Sequence, residues 1–395
     1  MHTPIRDDID WVGYVDYHVR DFHSYDTERG ATYNAYLVRD EKTALIDAVK
    51  APFAGHLLRN VAERIDPAKV DYVVCNHAEP DHAGGLPLVM QAMPQAKVVC
   101  DRRCRDALAA YHDTSAWQFE LVKTGDRIGL GRRTLEFVET PMVHWPESMV
   151  TYVSEEKLLF SMDAFGQHYA TSQRFDDELS LPTIMYEAKR YYANIVMPWG
   201  KQVQATLEKV SPLPLTMIAP AHGVIWRTHL QTILDAYADW AVCRPAAKVL
   251  IVYDSMWEST SQMAEAIAEG VTQDGVAVLP MHVRRTSLTQ LATEVIDCAA
   301  MALGSATLNR GVMPAAAAAM NYLEGLRPAG KAALAFGCYG WGKGAPEAID
   351  AWLDGMPWQK LSEPLRCQYR PTPELLDECR AAGRLLAQTA KELSA

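Results

Sequence analysis

The alternation of apolar and polar positions divides the chain into two styles, and the change falls near residue 244. Before it, short runs rich in β-branched residues are separated by glycines and charged turns. "TYNAYLVRDEKTALIDA" (32–48) predicts two strands around an Asp40-Glu41-Lys42 turn, and "MVTYVSEEKLLFSMDAF" (149–165) a second hairpin around Glu155-Glu156. "DYVVCNH" (71–77), "KVVCDRR" and "LVKTGDRIGLGRRTLEFVET" continue the pattern, so this half reads as α+β. After Arg244-Pro245, taken as the linker, near-continuous apolar runs alternate with helical stretches: "VLIVYD" (249–254), "AVLPMHV", "AAMALGS", "KAALAFGCY" and "PLRCQYR". Five such runs predict α/β architecture, a doubly wound parallel sheet covered on both faces. The last helix is expected to start with Thr372 as N-cap and Pro373 in its first turn, turning Leu375, Leu376, Cys379, Leu385 and Leu386 to the core.

A chain of 395 residues accommodates two such domains, set here at 1–246 and 247–395. Hydrophobic residues make up 49% and charged residues 22%, enough to build sizeable cores. No apolar run approaches the roughly 20 residues that cross a bilayer. The start, "MHTPIRDDIDWVG", has no basic or apolar leader region, which predicts a cytoplasmic protein. The net charge of -11 disfavours nucleic acid and anionic membranes as partners. None of the eight cysteines forms a C-x-x-C pair, which argues against a rubredoxin-type iron site and fits buried, reduced thiols.

The densest chemistry lies in "NHAEPDHAGG" (76–85), where His77, Glu79, Asp81 and His82 fall within six positions after a strand. A lone histidine in such a loop is usually satisfied by hydrogen bonds. Four donors together suggest two adjacent metal centres, and Gly84 and Gly85 are expected to let the backbone turn away sharply. Three further donors sit where later strands end: His144 in "ETPMVHWPES", Asp163 in "LLFSMDAFG" and His222 in "TMIAPAHGV". Zinc hydrolases favour nitrogen- or sulfur-rich sites, whereas added carboxylates suit iron or manganese. The other histidines, His23 and His168 among them, are read as ordinary surface or core residues.

H-x-H-x-D-H is the signature of the metallo-β-lactamase fold, and this chain has H-x-E-x-D-H. With "HWPESM", "SMDAFG" and "PAHGVIWR" downstream, it resembles the diiron domain of the flavodiiron proteins. The resemblance implies an N-terminal metallo-β-lactamase-like αββα domain. His77, Glu79 and His144 would hold one non-haem iron, Asp81, His82 and His222 the other, with Asp163 bridging. It also suggests Tyr191 and Trp341 as neighbours of the reaction site.

In the second domain, "VLIVYDSMWESTSQMAEAIAEGV" (249–271) places a hydroxyl-rich loop between strand and helix, with Ser259 expected as N-cap and Gln262 completing a capping box. Ser255, Ser259, Thr260 and the free amides of the helix start suit a phosphate monoester, and neither G-x-x-x-x-G-K-[ST] nor G-x-G-x-x-G is present. The loops "GSATLNRGVMP" (304–314) and "FGCYGWGKGA" (336–345) follow neighbouring strands and would line the ligand crevice. The set resembles a flavodoxin domain binding FMN through Ser255, Met256, Trp257, Ser259, Thr260, Ser305, Ala306, Thr307, Asn309, Gly337, Tyr339, Gly340 and Trp341. Glu258 stands where many flavodoxins have glycine, and its side chain is expected to face solvent, away from the phosphate.

The resemblance covers essentially the whole chain and implies an oxidoreductase. Electrons would come from a rubredoxin-like protein and its NAD(P)H-dependent reductase, since no rubredoxin module is expected after residue 395. They would pass through FMN to the diiron site, which reduces O2 to water, NO to N2O, or both. A head-to-tail homodimer, or a dimer of dimers, is implied as well. The competing expectation is a metal-dependent hydrolase of the metallo-β-lactamase fold with an accessory flavodoxin domain.

Overall fold

The structure, a computed structural model, describes residues 2–395. The chain forms two compact units, one of residues up to Tyr192 together with Lys201–Ala238, the other of Ala193–Gly200 and Asp239–Ala395.

The first unit stacks two sheets between helices. One sheet runs in the order Thr3–Arg6, Ile9–Trp11, Tyr36–Val38, Ala44–Ile46, Tyr72–Val74, Lys97–Cys100 and Gln118–Leu121, and its last four strands are parallel. The parallel half departs from a simple hairpin pattern because helices such as Ala54–Ala62 and Arg102–Tyr111 carry the chain back between strands. The other sheet runs Arg127–Gly129, Thr134–Glu139, Met149–Val153, Leu158–Met162 and Met217–Pro220. Period-two alternation builds two cores from the same strands. Leu37, Leu45, Val73 and Val98 face the helices with Leu57, Val61 and Val89. Tyr36, Ile46, Val74 and Val99 face the second sheet with Phe137, Leu158 and Phe160. Burying each such side chain contributes about 1.5–3 kcal/mol.

The second unit is the expected parallel sheet, ordered Ala277–His282, Ala246–Asp254, Cys298–Ala306, Ala332–Tyr339 and Leu365–Gln368. The strand order reverses at the first strand, so a crevice opens at the carboxyl ends of its neighbours. Met263, Ile267 and Val271 of the helix Ser259–Gln273 pack on this sheet. Thr372 accepts from Leu375 N at 3.3 Å and caps the last helix, which runs Pro373–Leu393. Leu385 does not reach the core. It is 38% exposed, while Cys379 and Leu386 are fully buried.

Candidate functional site

The helix Pro80–Ala83 begins directly after Glu79, so Asp81 and His82 lie on a helical turn while His77 and Glu79 are held by the extended segment before it. Gly84 and Gly85 are in ordinary right-handed backbone, with φ of -62° and -80°. Their role is close approach rather than an unusual turn: a Cβ on Gly84 would lie 2.3 Å from the Pro80 carbonyl, and one on Gly85 2.7 Å from that of Val49. His144 follows the strand Thr134–Glu139, Asp163 follows Leu158–Met162, and His222 follows Met217–Pro220. All seven donors therefore converge at strand carboxyl ends.

They gather into two groups, His77, Glu79, His144 and Asp163, and beside them Asp81, His82 and His222; within each, one donor atom from every residue lies within 4.8 Å of the others. Asp163 serves both. Its Oδ2 is 3.3 Å from Nε2 of both His77 and His144, and its Oδ1 is 3.0 Å from His82 Nε2 and 3.3 Å from His222 Nε2. Despite these short approaches, both oxygens of Asp81 and Asp163, and Nε2 of His82, His144 and His222, are buried without an aligned hydrogen bond. The atoms aim at shared points rather than at one another. A buried polar group left so costs about 1–3 kcal/mol, more when charged, and that cost disappears when cations occupy the shared points. The mixed donor set of four imidazoles and three carboxylates fits a pair of iron ions.

Electrostatics agree. Burial opposes charging the imidazoles, yet the facing carboxylates outweigh it and raise His77, His82 and His144 to about 9 and His222 to about 10. Burial likewise opposes ionising Glu79 and Asp163, yet the surrounding histidines hold both carboxyls far below the usual range. Without metal, protons on the rings neutralise the carboxylates; metal ions displace those protons at the same nitrogens.

Two rings are fixed from behind. His77 Nδ1 is 2.8 Å from Glu147 Oε1, and His222 Nδ1 is 2.6 Å from the Thr32 carbonyl, so Nε2 of each is turned toward the donor cluster, that of His77 3.1 Å from Glu79 Oε2. Glu147 went unremarked in the sequence although it lies three residues after His144; a carboxylate so close to a candidate ligand was the available signal. His23 also departs from its ordinary reading, whereas His168 is the buried core residue that reading allows. His23 tips a two-residue turn with φ of 53°, and its Nε2 lies 2.7 Å from Glu79 Oε1. The His168 ring lies 5.0 Å from that of His222 and 4.9 Å from that of Tyr191. Tyr191 is buried, its hydroxyl without an aligned partner, and burial, then the charge of Asp163, pushes its pKa well above the ordinary value.

The second unit holds a pocket of about 710 Å³ at the carboxyl edge of the parallel sheet. Met256, Trp257, Ser259, Ala306, Thr307, Asn309, Tyr339, Gly340 and Trp341 line it, joined by Leu308, Arg310, Cys338, Gly342 and Tyr369, which the sequence reading did not select. Tyr369 follows the fifth strand, so a third strand-end loop was the signal. Ser255, Thr260, Ser305 and Gly337 are absent from the lining. Ser305 Oγ accepts from Met313 N at 2.9 Å, and Thr260 Oγ1 is 3.2 Å from Cys338 Sγ, so these two hydroxyls brace the loops. Ser259 does not cap its helix. The N-cap is Glu258, whose φ of 64° explains why glycine suits this place, and Ser259 Oγ bonds the Tyr369 carbonyl at 2.6 Å. Glu258 is exposed, as expected. Trp257 and Trp341 stand 84% and 96% exposed at the pocket rim.

Residues 31–223 match the family described as ODP family beta lactamase, and residues 251–383 match flavodoxin. The chain is 43% identical to a nitric oxide reductase of Moorella thermoacetica over 97% of each chain. Among solved structures, a rubredoxin oxygen:oxidoreductase from the anaerobe Desulfovibrio gigas superposes with a TM-score of 0.98 at 37% identity, covering all of both chains. The flavodiiron protein of Giardia intestinalis gives 0.98 at 36% identity, covering 100% of this chain and 98% of that one. Sequence, fold and the paired donor groups thus place this chain in the flavodiiron protein family.

Proposed function

We propose that the chain is an oxidoreductase that passes electrons from a rubredoxin-like donor, through FMN, to a diiron site that reduces O2 to water, NO to N2O, or both. The observation that carries this reading is the doubled donor set sharing Asp163, with buried atoms aimed at common points and no aligned partner. His77, Glu79 and His144 would hold one iron and Asp81, His82 and His222 the other, with Asp163, which faces both groups, shared between them. Bound there, the iron pair supplies a place to reduce a diatomic gas, and FMN supplies electrons one or two at a time.

The protein's own part is positioning. Glu147 and the Thr32 carbonyl hold the His77 and His222 rings with Nε2 directed inward. Phe22, Tyr33 and Tyr191 wall the His222 side, with ring centroids 5.9–6.1 Å from that imidazole, and limit water. Tyr191 keeps its proton on Oη at neutral pH, because burial disfavours the phenolate. Trp257 and Trp341, exposed at the flavin pocket, suit cover by a second copy in a head-to-tail dimer or by the donor protein. Eight cysteines without a disulfide fit a cytoplasmic setting. Among the described residues no helix is long and apolar enough to cross a membrane.

The test is to load the full chain with iron and FMN, reduce it anaerobically, and follow O2 and NO on the same sample. Bound iron near two per chain with consumption of either gas is expected. Tightly bound zinc with ester or thioester hydrolysis, and neither gas consumed, would overturn the reading in favour of the hydrolase.

A further inference from the structure

The loop between the first strand of the flavodoxin unit and its helix carries the phosphate-site hydroxyls, and it leaves the strand at a buried acid. Asp254 is the last residue of Ala246–Asp254 and is 1% exposed. Ser255 follows, its Oγ buried without a hydrogen-bond partner. A carboxylate at this place opposes a phosphate dianion, because buried charges are poorly screened. The opposing charge comes from the edge strand. Arg284, two residues beyond Ala277–His282, donates Nε–H to Asp254 Oδ1 at 2.7 Å and its Nη2 to the Ser255 carbonyl. Val283 N donates to the Tyr253 carbonyl at 3.0 Å and Arg284 N to His282 Nδ1 at 3.3 Å, which fixes the root of the arginine. His282 Nε2 stands 3.9 Å from Asp254 Oδ1, beyond bonding distance.

We propose that Arg284 is a positioning residue for the flavin phosphate. It cancels the Asp254 charge behind the loop and, through the Ser255 carbonyl, sets the conformation in which the loop presents its amides to the phosphate. Its Nε and Nη2 are committed to Asp254 and Ser255, so the role assigned to it is exerted from behind the loop. Removing it leaves a buried, unpaired carboxylate beside the phosphate, which costs far more than removing both partners.

This rests on the FMN reading above, and the experiment separates the two. Deflavinated full chain is titrated with FMN and with riboflavin, which lacks the phosphate. Tight binding of FMN by the unaltered protein tests the cofactor; the variants test Arg284. In R284Q, FMN affinity is expected to fall at least tenfold while riboflavin affinity changes less than about twofold, and R284K, which keeps the charge but loses the fork that also reaches the Ser255 carbonyl, recovers only part of the loss. In a D254N background, adding R284Q is expected to cost FMN less than threefold, because no charge remains to be cancelled. Equal weakening of FMN and riboflavin, unchanged FMN affinity in R284Q, or a tenfold loss on adding R284Q to D254N would each overturn the proposal. If R284Q alone does not fold, the D254N pair decides it.

Discussion

In the first unit the site is made of side chains: three carboxylates and four imidazoles, nearly all buried, mounted on strand ends and braced from behind by Glu147 and Thr32. In the second unit the pocket is made of loops, with backbone folded into unusual conformations at Glu258, Asn309 and Arg310 and two tryptophans left in solvent. The contrast follows from the ligands. A metal ion needs specific donor atoms held within tenths of an ångström, so rigid elements and locked rings are required. A flavin needs a slot, a phosphate nest and stacking surfaces, which main chain and almost any large ring supply. Changes to single donors should therefore be severe in the first site and selective for the metal, whereas the second should answer to changes in loop shape.

The sharpest break of that contrast is Asp163→Asn. Because Asp163 faces both donor groups, iron is expected to fall from about two per chain to one or fewer, and gas consumption by on the order of 100-fold, with FMN content unchanged. Elemental analysis and gas electrodes on one preparation check this, and retention of two irons with normal turnover would remove the bridging role. Glu147→Gln keeps shape but lowers the basicity of His77. Iron affinity should weaken roughly 10–100-fold in competition with a chelator, while flavin titration stays at the wild-type value.

Gly344→Ala reverses the selectivity. A Cβ there would lie 2.2 Å from the Arg310 carbonyl, forcing apart the two loops that line the pocket. FMN affinity should drop about tenfold, a cost of roughly 1–2 kcal/mol, with iron retained; a flavin constant within error of wild type would show that the loops need not interlock. The smallest expected effect is Glu258→Gly. Relief of the left-handed conformation should raise stability by up to about 1 kcal/mol in denaturant titration, and FMN affinity should hold within about twofold because the side chain is exposed. A tenfold tightening of FMN would mean instead that the carboxylate does oppose the phosphate.

Much was legible before any coordinates because both folds advertise themselves in periodicity. The five apolar runs after residue 244 match the five main parallel strands, since strands covered on both faces must be apolar throughout. The candidate metal donors stood out because few reasons exist to bury His, Glu and Asp together. Leu385 was misplaced because a 21-residue helix drifts relative to its neighbours, so a leucine near the right phase can still point outward. Ser259 was misplaced as a cap because sequence cannot show that Glu258 occupies the left-handed region and begins the helix one residue earlier. Glu147, His23 and Tyr369 were missed for a common reason: each acts on a partner distant in sequence or is held by an unusual turn, and such local signals as Glu147 and Tyr369 carried did not name that partner.

The sequence by itself determined the two architectures and singled out the seven candidate donors and the hydroxyl-rich loop, because each is encoded in residue type and short-range spacing. Only the tertiary structure decided that Asp163 stands between the two donor groups, that Glu147 and Thr32 lock their rings, and that Arg284 meets Asp254. These are contacts between separate strand ends, and the packing of the sheets sets their distances, which no stretch of chain carries on its own.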